Sequence, residues 1–289
     1  MLLKQQRLLI LGCSGMLGSA TLRVFSESEG FQVYGTVRSL SNVRKLPDAL
    51  KSCIVPGIDF LDQDSLIRVF NEIRPDIVIN CIGLVKQREE ADDPLLAIPV
   101  NALLPHRLAR LCQLVGARLV HMSTDCVFSG RKGMYTEQDI PEAHDLYGRS
   151  KSLGEVDYPW AVTLRTSLIG HELEGSRSLI GWFLAQQSNV KGFRRAIFSG
   201  LPTVEMARLI RDYVIPNPQM HGIYHVSADP IDKFTLLSKV AQIYGKDIEI
   251  VVDEQLSIDR SLDSSRFRLE TGFLPKSWDD LICSMHDFG

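Results

Sequence analysis

The chain has 289 residues, of which 45% are hydrophobic and 23% charged, and its formal net charge is −3. That balance suits a water-soluble enzyme of one large domain or two modest ones, and the lack of any long basic or acidic block argues against nucleic acid or a membrane as partner. The six cysteines, Cys13, Cys53, Cys81, Cys112, Cys126 and Cys283, show no CxxC spacing, so reduced thiols in the cytoplasm and no metal site are expected.

The opening segment MLLKQQRLLILG has an apolar run too short to span a bilayer. It leads directly into glycines and reads as a first strand, not a signal peptide. Leu8 to Leu11 form the continuous apolar run of a parallel strand covered on both faces. GCSGMLG follows, and then a helical pattern through Ala20, Leu22 and Phe25. Strand, glycine turn and helix together point to a dinucleotide site. Gly12 would permit the tight turn, Gly15 the approach of a pyrophosphate and Gly18 close packing of helix on strand, with Ser14, Met16 and Leu17 completing the loop.

The second strand is FQVYGTVRS. An acid that binds the ribose 2′-hydroxyl usually follows about 20 residues after such a loop. Here the strand tip carries Arg38 and Ser39, with Arg44 and Lys45 beyond. A guanidinium fits a 2′-phosphate, so NADP(H) is preferred and NAD(H) remains open; a simple solvated Arg38 is the alternative. A third strand, Cys53 to Ile58, ends near Asp59 and Phe60. Asp59 could meet an adenine amino group or cap the helix that begins near Asp62. The fourth strand, DIVINCIG, brings Cys81, Ile82 and Gly83 to the edge where open α/β sheets bind ligands. In the polar loop that follows, Lys86, Gln87 and Arg88 are candidates for an anionic ligand or a solvated surface.

VNALLPHRLARLCQLVG has helical spacing, with Pro105 as a kink or early turn. Asn101 before it is a buried structural amide or a cofactor-side one. A fifth strand, RLVHMSTD, ends in Thr124, and Tyr147 and Lys151 lie four apart in YGRSK, on one face of a helix. An ammonium beside a phenol is expected to lower the phenol's pKa, and such a tyrosine can move a proton near neutral pH. The sixth strand is AVTLRTSLIG. The repeated strand-helix alternation predicts an α/β fold with a doubly wound parallel sheet over residues 1–167. Residues 168–289 are less regular and read as a smaller, mixed substrate region packed on it, with some segments returning to the sheet.

GCSGMLG, STDCVFSG, YGRSK, LRTSLIG, GLPTVEMA, GIYHVS and LDSSRFR together resemble the extended short-chain dehydrogenase/reductase family, nearest to its dTDP-4-dehydrorhamnose reductase group. The likeness covers nearly the whole chain. The family's STDYVF reads STDCVF here, with Cys126 in place of the tyrosine. The resemblance implies a Rossmann fold and NADPH-dependent reduction of a nucleotide-linked 4-keto-6-deoxy sugar. It implies Tyr147 as proton donor, Lys151 on the nicotinamide ribose and Thr124 on the reacting oxygen. It also places the nucleotide sugar against the C-terminal region. There Arg194, Arg195, Arg260 and Arg266 are candidates for the diphosphate and Trp182 or Phe193 for stacking, each with a bland surface or core alternative. Lys86, Val127 and Phe128 are further substrate-side candidates. An epimerase on the same scaffold is an alternative, as is a non-catalytic regulatory subunit like the methionine adenosyltransferase beta subunit. A dehydratase is disfavoured, because Asp125 with Cys126 is not its usual Asp-Glu pair. Oligomeric state stays open, a homodimer included.

Overall fold

In a computed structural model, residues 5–86 and 89–289 are described. The central sheet holds β1 (Gln6–Leu11), β2 (Phe31–Val37), β3 (Ile54–Pro56), β4 (Ile77–Asn80), β5 (Arg118–Thr124), β6 (Ala161–Thr166) and the strand Gly222–His225. Every pairing within it is parallel. The order across the sheet is β3-β2-β1-β4-β5-β6, followed by Gly222–His225. Chain order therefore reverses between β1 and β4, and their carboxyl ends open the crevice in which such sheets bind ligands.

Apolar residues on both faces make this sheet a buried layer. Along β1, Leu8 and Ile10 enter one core and Leu9 and Leu11 the other. The helix Gln63–Ile73 and the helix Leu104–Val115 supply the second core, through Leu66, Phe70 and Leu108 among others. On the opposite face the helix Met16–Ser26 packs against Thr203–Leu209, and Trp278–Phe288 packs on the latter.

Three elements differ from the sequence reading. β3 is shorter than Cys53–Ile58, because Pro56 cannot donate to a ladder and Gly57 turns away with φ +75°. Cys53 instead closes a short 3₁₀ turn, Asp48–Cys53. The VNALLPH segment continues a helical run from Pro94, with a π-helical stretch Ile98–Leu103 ahead of Leu104–Val115. Pro105 has no N–H for the Asn101 carbonyl, and an α-helical register is not maintained there.

Beyond β6 the chain leaves and re-enters the sheet layer. Ala196–Phe198 pairs with both Ile231–Asp232 and Ile258–Asp259, and Val190–Phe193 pairs with Ile250–Asp253. Gly222–His225 then lies beside β6, so the C-terminal third partly forms small sheets of its own and partly extends the edge of the central sheet. Among the described residues, no helix is long and apolar enough to cross a membrane.

Candidate active site

The turn after β1 is built around two glycines that no other residue could replace. Gly12 has φ +86° and faces Ile82, and a Cβ on Gly18 would overlap the Gly12 carbonyl. Gly15 is different: its φ is −84°, and an added Cβ would be in ordinary contact. No packing inside the chain demands a glycine there, which fits a phosphate approaching from outside. The helix Met16–Ser26 has neither a side-chain cap nor an acid in its first turn, so its leading N–H groups are suited to an anion. Ser14, Met16 and Leu17 lie in this turn as expected.

Arg38 follows β2, is exposed, and makes no hydrogen bond or ion pair among the described residues. Ser39 pairs with the Ser41 hydroxyl at 2.7 Å, while Lys45 is held by Glu174. Asp59 accepts from the Leu61 N–H and its own N–H donates to Ser65, so it shapes the turn ahead of the helix capped by Asp62. Phe60 is half-buried against the second core.

At the end of β4, the Ile82 N–H donates to Asn80. Asn101, turned inward by the π-helical stretch, accepts from the Leu84 N–H at 2.9 Å and donates to the Leu84 carbonyl and to Ser150. It therefore clamps the β4 loop to the helix Leu146–Leu153. Gly83 presents bare backbone there: a Cβ would lie 3.5 Å from the Asn101 amide oxygen and 3.9 Å from Lys151 Nζ. Cys81 packs at the strand end, and burial pushes its thiol up to about 12.

The helix Leu146–Leu153 carries Tyr147 and Lys151 and is seated by glycines at both ends. A side chain on Gly148 would overlap the Cys126 carbonyl, and one on Gly154 the Asn101 carbonyl. Asp145 caps its start by accepting from the Gly148 N–H at 2.7 Å. This tight seating brings the Tyr147 phenol beside the Thr124 hydroxyl at the carboxyl end of β5. Thr124 also donates to Asp125 and accepts from the Cys126 N–H.

The electrostatics correct one expectation. Burial raises the Tyr147 phenol well above its ordinary value, reinforced by Cys126; the Thr124 hydroxyl opposes this only in part. Lys151 does not bring the phenol's pKa down. Its ammonium donates instead to the Met122 carbonyl at 2.6 Å, and burial lowers its own pKa to about 8 against the opposing pull of Glu155. Tyr147 is thus a phenol that keeps its proton, which is the state a reduction requires of an acid. Burial likewise raises Asp125 and takes the Cys126 thiol to about 12.

The substrate-side candidates separate. Arg260 donates to the Phe128 carbonyl at 2.9 Å and acts on Asp125 and Cys126, so it borders the site. Lys86 is tied to Asp145, the cap of the Tyr147 helix, at 2.7 Å. Val127 and Phe128 are corrected: both side chains are fully buried in a small core with Tyr135 and Leu262, and only their backbone is available. Arg194 is exposed and lies 4.3 Å over the Phe234 ring. Trp182 is exposed on its helix, and no contact among the described residues ties it to Tyr147. Arg266 is committed to Glu270 and the Tyr224 ring, away from a diphosphate role. Gln87 and Arg88 lie outside the described residues.

Lys233 was not foreseen. It begins the helix Lys233–Ile243, is mostly buried, and its ammonium hydrogen-bonds no described residue. Burial lowers its pKa, while Asp125 and Cys126 favour its charge. Together Lys233 and Arg260 give the space next to Asp125 and Cys126 a positive lining.

Comparisons with known proteins bear on the family and the fold. The family model described as the RmlD substrate binding domain matches residues 6–248. A probable low-salt glycan biosynthesis reductase from Haloferax volcanii is 30% identical over 178 residues, 60% of this chain. The match spans 57% of that relative's length. The methionine adenosyltransferase 2 subunit beta of Rattus norvegicus is 28% identical over 253 residues, covering 83% of this chain and 72% of the relative. In fold, the crystal structure of dTDP-4-dehydrorhamnose reductase from Bacillus anthracis, in complex with NADP, matches with a TM-score of 0.79 and 23% identity over 99% of both chains.

Proposed function

The chain belongs to the RmlD substrate binding domain family, and from that premise we propose that it is an NADPH-dependent reductase of a nucleotide-linked 4-keto-6-deoxy sugar, acting in deoxysugar or polysaccharide biosynthesis. One observation carries the reading: the phenol of half-buried Tyr147, which keeps its proton, stands beside the Thr124 hydroxyl at the carboxyl edge of the sheet. The dinucleotide fits on the grounds that Gly15 has no internal reason to be glycine and that Gly83 leaves bare backbone beside Lys151. Residues 1–167 would supply most of the cofactor half and 168–289 most of the substrate half. Free thiols at all six cysteines support a cytoplasmic setting.

Gly12, Ser14, Gly15, Met16, Leu17 and Gly18 would hold the pyrophosphate. Arg38 and Ser39 would take the 2′-phosphate, which favours NADP(H) while admitting NAD(H). The loop at Asp59 and Phe60 would border the adenine, and Cys81, Ile82, Gly83 and the Asn101 clamp the nicotinamide side. When bound, the dinucleotide supplies the hydride. As the sugar carbonyl oxygen gains charge, Tyr147 gives it a proton and Thr124 gives it a hydrogen bond, turning from Asp125 to do so. Losing a donor aimed at that developing charge typically costs about 3 kcal/mol of barrier. Lys151, with one carbonyl partner, keeps N–H groups for the ribose hydroxyls.

The test is consumption of NADPH on adding a panel of 4-keto nucleotide sugars to the purified protein, followed at 340 nm. Turnover with one of them supports the reductase. Tight NADPH binding, no turnover on any sugar and co-purification with a synthetase would select a regulatory subunit instead, a reading favoured by the match to the methionine adenosyltransferase subunit over 83% of the chain.

A further inference from the structure

Behind Thr124 and Lys151 lies a buried ionic assembly that the mechanism above does not use. Glu155 follows Lys151 by four residues, and its carboxylate receives Arg165 on both oxygens, Nε at 2.7 Å and NH2 at 2.7 Å. The Ser123 hydroxyl, next to Thr124 on β5, donates to the same carboxylate at 2.7 Å. The side chains of Arg165 and Glu155 are only 3% and 4% exposed. The free edge of Arg165 meets His225 Nε2 at 3.2 Å, and His225 Nδ1 faces the Tyr135 carbonyl at 2.8 Å. Burial holds His225 near 4, so it is neutral, carries its proton on Nδ1 and accepts from the guanidinium. The Phe128 ring covers the guanidinium at 5.2 Å.

A buried bidentate pair is a weak source of stability, since two apolar residues of the same volume would often serve as well. Its position here suggests another use. Its carboxylate touches the strand that ends in Thr124 and lies one helical turn beyond the buried ammonium of Lys151. The groups that act on that ammonium are the Met122 carbonyl and His121 from β5, the bare backbone of Gly83 after β4, and Glu155 just beyond the end of its own helix. Burial keeps His121 neutral, and Tyr147 keeps its proton. Glu155, four residues past Lys151, is the anion that favours its charged form, and the bonds from Arg165 and Ser123 fix where that anion sits.

We propose that Glu155, oriented by Arg165 and Ser123, is a positioning residue for the reduction: it holds the Lys151 ammonium charged at the cofactor's ribose and locks the Tyr147–Lys151 helix to the strand bearing Thr124. The proposal rests on the reductase reading for its purpose, but not for its test.

Glu155→Gln alone strands the Arg165 charge and is at risk of not folding, so the double variant Glu155→Gln/Arg165→Met, which removes both charges, is made with it. The ¹³Cε signal of Lys151, assigned by its absence in Lys151→Met, is titrated in each protein without cofactor. In the wild type the midpoint should fall near 8. In either variant it should drop by about one pH unit or more, the usual effect of losing a nearby opposite charge. NADPH affinity should then weaken about threefold at pH 7.5, following the charged fraction of lysine, and stay unchanged at pH 6. Glu155→Asp should restore most of both. An unmoved midpoint, or equal weakening at both pH values, overturns the proposal and leaves the ion pair a packing element. A shifted midpoint in a protein that reduces no sugar would sink the reductase reading alone.

Discussion

A methyl on Gly18 would run into the carbonyl oxygen of Gly12, whereas a methyl on Gly15 would meet that same oxygen at 3.4 Å. The two glycines therefore serve different ends, and substitution separates them. Gly15→Ala should fold with a melting temperature within about 2 °C of wild type, as expected where nothing is displaced. Its NADPH affinity should nevertheless fall by about tenfold or more, because the methyl occupies the path of the phosphate. Gly18→Ala should lose several degrees of melting temperature as well. Dye-monitored melting and NADPH fluorescence measure both, and an unchanged affinity in Gly15→Ala would remove the phosphate from this turn.

Tyr147→Phe keeps the ring and removes only the hydroxyl beside Thr124. Its turnover is expected to fall by at least about a hundredfold, the usual contribution of a positioned acid. NADPH binding should stay within about threefold of wild type, since the phenol is not among the groups suited to the pyrophosphate. Stopped-flow turnover beside equilibrium fluorescence distinguishes these. Wild-type-like turnover would remove Tyr147 from the chemistry.

Much of this arrangement was legible in the sequence because it is local. The period of GCSGMLG and the four-residue spacing of Tyr147 and Lys151 each lie within one element. The sheet followed from apolar runs buried on both faces, as in β1. Contacts between distant segments were not legible. Lys233 looks like any first residue of a capped helix until the pairing of Ile231–Asp232 with Ala196–Phe198 sets where its helix starts. Glu155 and Arg165 read as one turn-end acid and one strand cation, and only folding closes them into a buried pair. The expectation for Tyr147 failed for a related reason. Spacing revealed a neighbouring ammonium, but not that the ammonium is engaged by the Met122 carbonyl or how far burial outweighs it.

Arg38 is exposed at the tip of β2, and among the described residues no carboxylate holds it. If it grips a 2′-phosphate, Arg38→Ala should weaken NADPH by about tenfold or more, the usual loss with a hydrogen bond to a charged group. NADH, which lacks that phosphate, should change by less than about twofold. Equal weakening of the two would leave Arg38 a solvated loop residue.

Alkaline pH should unfold the protein, and the sign follows from the buried thiols. Burial takes Cys81 and Cys126 to about 12, and raises Cys13 and Cys112 as well. The folded chain keeps these protons after the unfolded chain, with thiols near 8.5, has released them. Their contribution is complete below that pH and is lost as pH rises toward 12, at roughly 1.4 kcal/mol per pH unit for each thiol. Lys151 works in the opposite sense: lowered to about 8 from 10.5, it adds stability as pH rises between those values. Lys233 is lowered by burial as well, but four thiols are raised against these two ammoniums, so the thiols prevail. Urea midpoints should fall steadily above pH 9, less steeply in Cys112→Ala. A flat or rising profile would mean that the thiols are not buried as described.

Lys233 and Arg260 face Asp125 and Cys126 from the C-terminal region, and Lys233 has no hydrogen-bond acceptor of its own among the described residues. A mostly buried ammonium without a fixed partner is costly unless something anionic completes it. The nucleotide sugar brings such a group in its diphosphate. Lys233→Met keeps the aliphatic stem and removes the charge, so it should raise KM for the sugar by about tenfold, the low end for a charge-assisted hydrogen bond. It should leave kcat within about threefold, because uniform binding is lost and not transition-state stabilisation. NADPH affinity should not move. Steady-state kinetics at fixed saturating NADPH measure the split. A fall in kcat with an unchanged KM would instead put Lys233 at the reacting carbonyl and not at the phosphates.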